Sequence, residues 1–129
     1  MMKIDNRNNI ENLHKIKRLL IVVDMINGFV RKGVLANKEI EEIIPENIKL
    51  IEEFLNDEEG AVALVRDSHS KNAPEFKTFP EHCLEGTEES ELVEELIKYE
   101  KDSLVYKKNS TNFVFAPNFM DDVKNMKNL

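Results

Sequence analysis

The sequence has no tryptophan and one cysteine, with only four glycines and four prolines in 129 residues. A lone cysteine excludes an internal disulfide, and a disulfide-stapled fold with it. No Gly/Ser linker, internal repeat or low-complexity block interrupts the chain, so no domain boundary is seen. Apolar runs are equally short. None approaches the ~20 residues of a membrane span or matches a signal peptide's apolar region with its small-residue cleavage site. Cations are in the minority: Lys and Arg number 18 against 25 Asp and Glu, a net charge of −7. That balance argues against nucleic acid or an anionic membrane surface as the main partner. With 41% hydrophobic residues, one acidic domain in a reducing cytoplasm is the expectation.

Three strand-like runs are present: Leu19-Leu20-Ile21-Val22-Val23, Ala61-Val62-Ala63-Leu64-Val65 and the shorter Ser103-Leu104-Val105-Tyr106. Unbroken apolar runs of this length read as strands buried on both faces. Between the first two, Ile43, Ile44, Ile48, Ile51, Phe54 and Leu55 recur at helical spacing, with Pro45 suited to a first turn and Gly60 to a stop beyond the helix. A second crossover places Leu92, Val93, Leu96 and Ile97 at helical spacing among Glu88, Glu89, Glu91, Glu94 and Glu95. Strands alternating with helices predict an α/β fold with a parallel sheet and right-handed crossovers. The first eighteen residues read as a polar, basic lead-in with a short helix around Ile10 to Ile16. Phe119, Met120, Val123 and Met126 predict an amphipathic helix of roughly three turns near the other end.

Each strand is followed by a group with chemistry to offer. Asp24 follows Val23, Arg66 and Asp67 follow Val65, and Lys107 and Lys108 follow Tyr106. Parallel strands would gather these at one edge, where α/β sheets bind ligands. Within sixteen residues the chain also places Asp67, His69, Glu75 and His82. Two carboxylates and two imidazoles are the ligands that zinc, iron or manganese accept without sulfur. Residue type alone leaves plainer roles open. Asp24 also suits a turn or cap, Asp67 and His69 a loop, Glu75 the surface, His82 a helix cap or the core, and Lys107 and Lys108 solvent. His14 reads as a surface residue.

Four segments, taken in order, resemble the isochorismatase-like cysteine hydrolases and within them the nicotinamidase/pyrazinamidase branch: Val22-Val23-Asp24-Met25-Ile26-Asn27-Gly28-Phe29, Asp67-Ser68-His69, His82-Cys83-Leu84-Glu85-Gly86-Thr87 and Lys108-Asn109-Ser110-Thr111-Asn112. The resemblance covers about Leu19 to Phe119 and implies a doubly wound parallel sheet with flanking helices. Residues 19–129 then form the N-terminal part of an isochorismatase-like hydrolase domain, incomplete at its C-terminal side. The implied activity is hydrolysis of nicotinamide or a related small amide to the acid and ammonia. The resemblance gives Asp24 the proton transfers, Lys108 the stabilisation of negative charge, Phe29 a wall of the substrate pocket, and Asp67, His69, Glu75 and His82 a divalent metal, zinc before iron or manganese.

The family's nucleophilic cysteine lies downstream of the lysine segment, and the chain as given stops before it. Cys83 is the sole thiol, sits at the metal-loop position and reads as a packing group. The expectation is therefore a truncated member carrying the acid, the lysine and the metal site but no nucleophile. A non-catalytic metal-binding or interaction remnant is the alternative, and attack by a metal-activated water with Asp24 as base is a third reading that needs no cysteine. Three strands would leave a sheet edge open to a homo-oligomer or a complementing chain. Two positions depart from the nicotinamidase pattern. Ser68 stands where tryptophan is common and Ile26 where glutamine is, which implies an altered pocket wall and leaves the amide unspecified.

Overall fold

The computed structural model describes residues 10–129. The first nine residues of the predicted lead-in lie outside that range. Its short helix is present as a 3-10 segment, Ile10–Lys15, and His14 is exposed as expected.

Three parallel strands form one sheet in the order β1-β2-β3: β1 is Arg18–Val23, β2 is Gly60–Asp67 and β3 is Leu104–Lys108. The apolar runs form strands because both faces of the sheet are covered. Val22, Val62 and Leu64 face a core built with Ile44, Ile51 and Leu55, whereas Ala61, Ala63, Val65, Leu104 and Tyr106 face a second core with Leu13, Ile16, Phe119 and Met126. Helices on both sides explain why every residue from Ala61 to Val65 is apolar rather than every second one.

Helix α1 is a single turn, Asn27–Val30, and α2, Ile44–Asn56, carries Pro45 in its first turn. Ile44, Ile51 and Leu55 are the buried stripe of α2, at the spacing read from the sequence. The helix ends at Asn56, so Gly60 opens β2 rather than stopping the helix.

The second crossover differs from the expected helix. Glu88–Ser90 is a 3-10 turn, only Glu94–Ile97 is helical (α3), and Glu100–Asp102 is again 3-10. The backbone at Leu92 is spent elsewhere: it bridges antiparallel to Ile26, Val93 N–H donates to Met25 O, and Asn27 N–H donates to Glu91 O. A segment tied to the β1–α1 loop cannot also form i to i−4 bonds. The last helix, α4, spans Phe119–Asn125, nearer two turns than three, with Phe119 buried and Met120 largely exposed.

Both β2 and β3 run past their apolar runs. Arg66 pairs with Lys107 and Asp67 with Lys108 in the ladder, because main-chain pairing is indifferent to side-chain polarity. That extension carries the charged groups to one edge. β1 forms a border of the sheet: Asp24 N–H reaches back to Val65 O, so by alternation the main-chain groups of Leu19, Ile21 and Val23 turn away from β2.

Candidate active site

Asp24, Asp67 and Lys108 meet at the carboxyl ends of the three strands. Lys108 Nζ donates to Asp67 Oδ1 at 2.6 Å and to Ser110 O at 3.1 Å, and lies 3.0 Å from Asp24 Oδ2. Its three donors thus have three acceptors. Lys108 is 2% exposed and Asp67 3%, and an ammonium so placed persists only because carboxylates surround it. Burial pulls the Lys108 ammonium down, but the Asp67 hydrogen bond and the Asp24 and Asp67 charges outweigh it and hold its pKa above the ordinary lysine value. Burial, against the pull of Lys108, pushes the Asp24 carboxyl above the ordinary aspartate value.

Asp24 has φ 60°, a left-handed conformation uncommon outside glycine. The chain leaves β1 through that residue, which leaves its carboxylate facing Lys108. Its Oδ1 is buried and accepts no hydrogen bond among the described residues. A cavity of about 200 Å³ opens there, lined by Asp24, Phe29, Leu35, Asp67, Glu75, Phe79, His82, Lys108 and Thr111. Phe29 is among the lining residues, 5.9 Å from the His82 ring. Leu35 and Phe79 had no periodic or motif signal to mark them, and Thr111 stood within the lysine segment without a role assigned to it.

The other oxygen of Asp67 points into a second group. Asp67 Oδ2 lies 2.8 Å from His69 Nε2 and 3.7 Å from His82 Nε2, while Glu75 brings Oε1 to 3.2 Å from His69 Nε2 and Oε2 to 3.2 Å from His82 Nε2. One ligand atom from each of Asp67, His69, Glu75 and His82 falls within 4.8 Å of the others. Glu75 reaches in from a 3-10 turn, Pro74–Lys77, and His69 and His82 are held by the pairing of their loops: His69 N–H donates to Cys83 O and Glu85 N–H to His69 O. Phe76 packs edge-on against both imidazoles, each at 5.4 Å.

The ring orientations test whether a cation fits. His82 Nδ1 is 2.7 Å from Pro80 O, which can only accept, and His69 Nδ1 is 3.0 Å from Asn109 Oδ1. Both Nδ1 atoms are therefore donors, and both Nε2 atoms turn toward carboxylate oxygens. Lone pair faces lone pair, an arrangement a proton or a cation must bridge. Among the described residues Glu75 Oε1 is buried with no hydrogen-bond partner, although His69 Nε2 is 3.2 Å away. Three carboxylates (Asp24, Asp67, Glu75) against one ammonium leave two negative charges, which one divalent ion cancels. Two imidazoles and two carboxylates suit zinc, iron or manganese.

Cys83 lies in the core at the back of the site. It is fully buried, with φ 48°, and a Cβ on Gly28 would collide with its sulfur, so glycine is what lets α1 pack there. Burial first, and then the carboxylates of Asp67, Glu89 and Asp24, push its thiol up to about 12. It does not line the cavity, in keeping with a packing role. Lys107 is exposed, and Arg66 lies 3.6 Å from Glu100. Ser68 is buried but lines a separate cleft with Ser70 and Asn109, so aromatic side chains from elsewhere supply the cavity wall. Ile26 is a core residue.

The family model of the isochorismatase domain matches residues 18–125. The chain belongs to the isochorismatase family. Over 80 residues this isochorismatase-family chain is 40% identical to Nicotinamidase 1 of Arabidopsis thaliana, a match taking in 57% of this chain and 32% of that protein. N-carbamoylsarcosine amidase from Thermoplasma acidophilum superposes with a TM-score of 0.75 at 29% identity, over 84% of this chain and 61% of that one. A nicotinamidase from Bacillus subtilis superposes with a TM-score of 0.69 at 25% identity, over 84% of this chain and 65% of that one. The chain thus spans about a third of the curated relative and less than two thirds of these solved ones. The parallel sheet with flanking helices is the isochorismatase-like fold expected from the sequence.

Proposed function

We propose that this chain carries the metal-holding and proton-handling part of a nicotinamidase-like amide hydrolase, acting on nicotinamide or a related small amide. The observation that carries this reading is the bridge through Asp67. One of its oxygens faces the imidazoles and the other accepts from Lys108, beside Asp24. A cation site, an amine and a base thus form one connected unit at the mouth of one cavity. That cavity, at about 200 Å³, is smaller than the ~300–1,000 Å³ of drug-sized ligand sites, and suits a single-ring amide.

Amide carbonyls are poor electrophiles, so hydrolysis through a thiol needs a base, a compensating cation and orientation. Asp24, which lines the cavity and whose pKa is raised by burial, would take the thiol proton as sulfur bonds to the carbonyl carbon. It would return that proton to nitrogen as the C–N bond breaks and ammonia leaves. Lys108 holds positive charge beside the developing negative charge. Asp67, His69, Glu75 and His82 would hold the divalent ion, zinc before iron or manganese, which supplies a Lewis-acidic contact that fixes the substrate's ring. Phe29 forms the aromatic wall.

The thiol route needs a cysteine other than Cys83, whose sulfur is buried and whose pKa is pushed up to about 12. The ligand group of Asp67, His69, Glu75 and His82 also supports a second reading, a metal-binding chain without turnover.

The two separate on ligand binding. Zinc-loaded chain is expected to retain one ion, to show saturation transfer to nicotinamide by NMR, and to lose both in His69→Ala. Zinc retention with no nicotinamide contact selects the non-catalytic reading. Ammonia release from nicotinamide by the chain alone, persisting in Cys83→Ala, would replace the thiol route by attack of water with Asp24 as base.

A further inference from the structure

We propose that Asn109 is a positioning residue of the metal centre, fixing which nitrogen of His69 is offered to the ion. The inference rests on the metal-binding reading above. Asn109 directly follows Lys108 at the end of β3, so the strand that delivers the ammonium to one side of Asp67 also delivers this amide behind His69.

Which way the amide faces is decided by a group with no choice. The Ser70 backbone N–H can only donate, and it points at Asn109 Oδ1 at 3.2 Å, while Asn109 Nδ2 donates to Ser70 Oγ at 3.1 Å. Turning the amide over would set an NH2 group against that N–H. Oδ1 therefore also faces His69 Nδ1 at 3.0 Å. An amide oxygen only accepts, so Nδ1 carries a hydrogen and Nε2 is the nitrogen left for the carboxylates or an ion. Nε2 is the atom within reach of Asp67 Oδ2 and Glu75 Oε1.

Without Asn109 the other tautomer would be favoured locally, since Nε2–H could donate to either carboxylate. Metal would then have to displace that proton and turn the ring. His82 does not share this dependence, because its Nδ1 is held by Pro80 O, a main-chain group no substitution removes. The metal site is therefore held by one main-chain and one side-chain orienter, and only the latter is open to mutation.

Partners of this kind commonly contribute ~10–100-fold in metal affinity. Asn109 is exposed on its outer side, so water can partly replace it, and the low end, about tenfold, is expected. The same exposure makes its replacement compatible with folding.

Zinc affinity measured by chelator competition should weaken about tenfold in Asn109→Ala and stay near that of the parent in Asn109→Asp, which keeps an acceptor oxygen. Ser70→Ala, which leaves the Ser70 N–H in place, should also bind zinc as the parent does. Ring 15N shifts of the metal-free chain should show His69 protonated at Nδ1, and that protonation should give way to Nε2 in Asn109→Ala. With three histidines in the sequence, the signals are assignable by single substitutions.

Unchanged zinc affinity in Asn109→Ala, an unchanged tautomer, or a loss in Ser70→Ala as large as in Asn109→Ala would each overturn the proposal. A parent chain that retains no zinc instead refutes the metal-binding reading. The tautomer measurement then still decides whether Asn109 orients the ring.

Discussion

Asp67 spends its two oxygens on different partners, and this division was the feature of the site least visible in the sequence. Spacing and residue type brought Asp67, His69, Glu75 and His82 forward as one group, and strand ends brought forward Asp24, Asp67 and Lys108. That Asp67 turns one oxygen to each group follows only from the Asp67↔Lys108 register, which apolar runs leave unmarked at their polar ends. Asn109 stood in the lysine segment, but its role was illegible for a different reason. A short polar residue after a strand reads as a turn, and its role depends on which atom of its amide faces inward. A prediction follows for Lys108. Replacing it by methionine keeps the stem but leaves Asp67, 3% exposed, and Asp24 without their shared cation. Removing one partner of a buried ion pair costs ~3–5 kcal/mol. Urea denaturation of the metal-free chain at neutral pH should show a loss of that order for Lys108→Met, with part regained when zinc supplies positive charge. A loss below ~1 kcal/mol would mean that water already screens the carboxylates.

Elements were legible where burial is two-sided and illegible where the backbone is spent on irregular contacts. The three strands follow from apolar runs that only a covered parallel sheet tolerates, and α2 from a stripe with Pro45 at its start. The stretch Leu92 to Ile97 has equally good helical spacing, yet it closes the back of the site as an extended bridge and a single turn. Apolar spacing reports which residues are buried, not which hydrogen bonds their backbone makes. What holds this irregular stretch against α1 is Arg31, which bonds Glu95 through both terminal nitrogens at 2.6 and 2.7 Å and Glu41 through Nε at 2.7 Å. The guanidinium at Arg31 holds the Glu95 carboxyl down to about 2 from an ordinary 4.5. A carboxyl whose folded pKa is depressed stabilises the fold above its unfolded pKa, and that contribution is lost as pH falls from about 4.5 to about 2. The pair is partly exposed, so the effect will be modest and reduced by salt. In urea titrations the midpoint of Glu95→Gln should lie below that of the parent at pH 6, and the gap should close as the pH approaches 2. A gap independent of pH would assign the loss to packing.

At the scale of the whole molecule, the net charge of −7 and the two uncancelled negative charges of the site act in the same direction. Bringing Asp24, Asp67 and Glu75 together at the strand ends opposes folding unless a cation joins them, so binding and folding are linked. An ion that binds only the folded chain stabilises it by RT ln(1 + [L]/Kd), ~2.7 kcal/mol at a hundredfold excess over Kd. For a domain of this length that corresponds to a rise in Tm of about 10 °C. Zinc at such an excess should give this rise and a chelator should reverse it. Magnesium should give little, because it prefers oxygen ligands in octahedral geometry and this site offers two imidazole nitrogens. His69→Ala should abolish the zinc shift while Cys83→Ala, whose sulfur lies in the core and outside the ligand group, should keep it. Equal shifts with zinc and magnesium would mean that general screening of an acidic chain is at work and that the four side chains do not form a selective site. A zinc shift confined to chains with His69 intact ties the stability of the sheet to the ligand loop, through the one carboxylate that serves both.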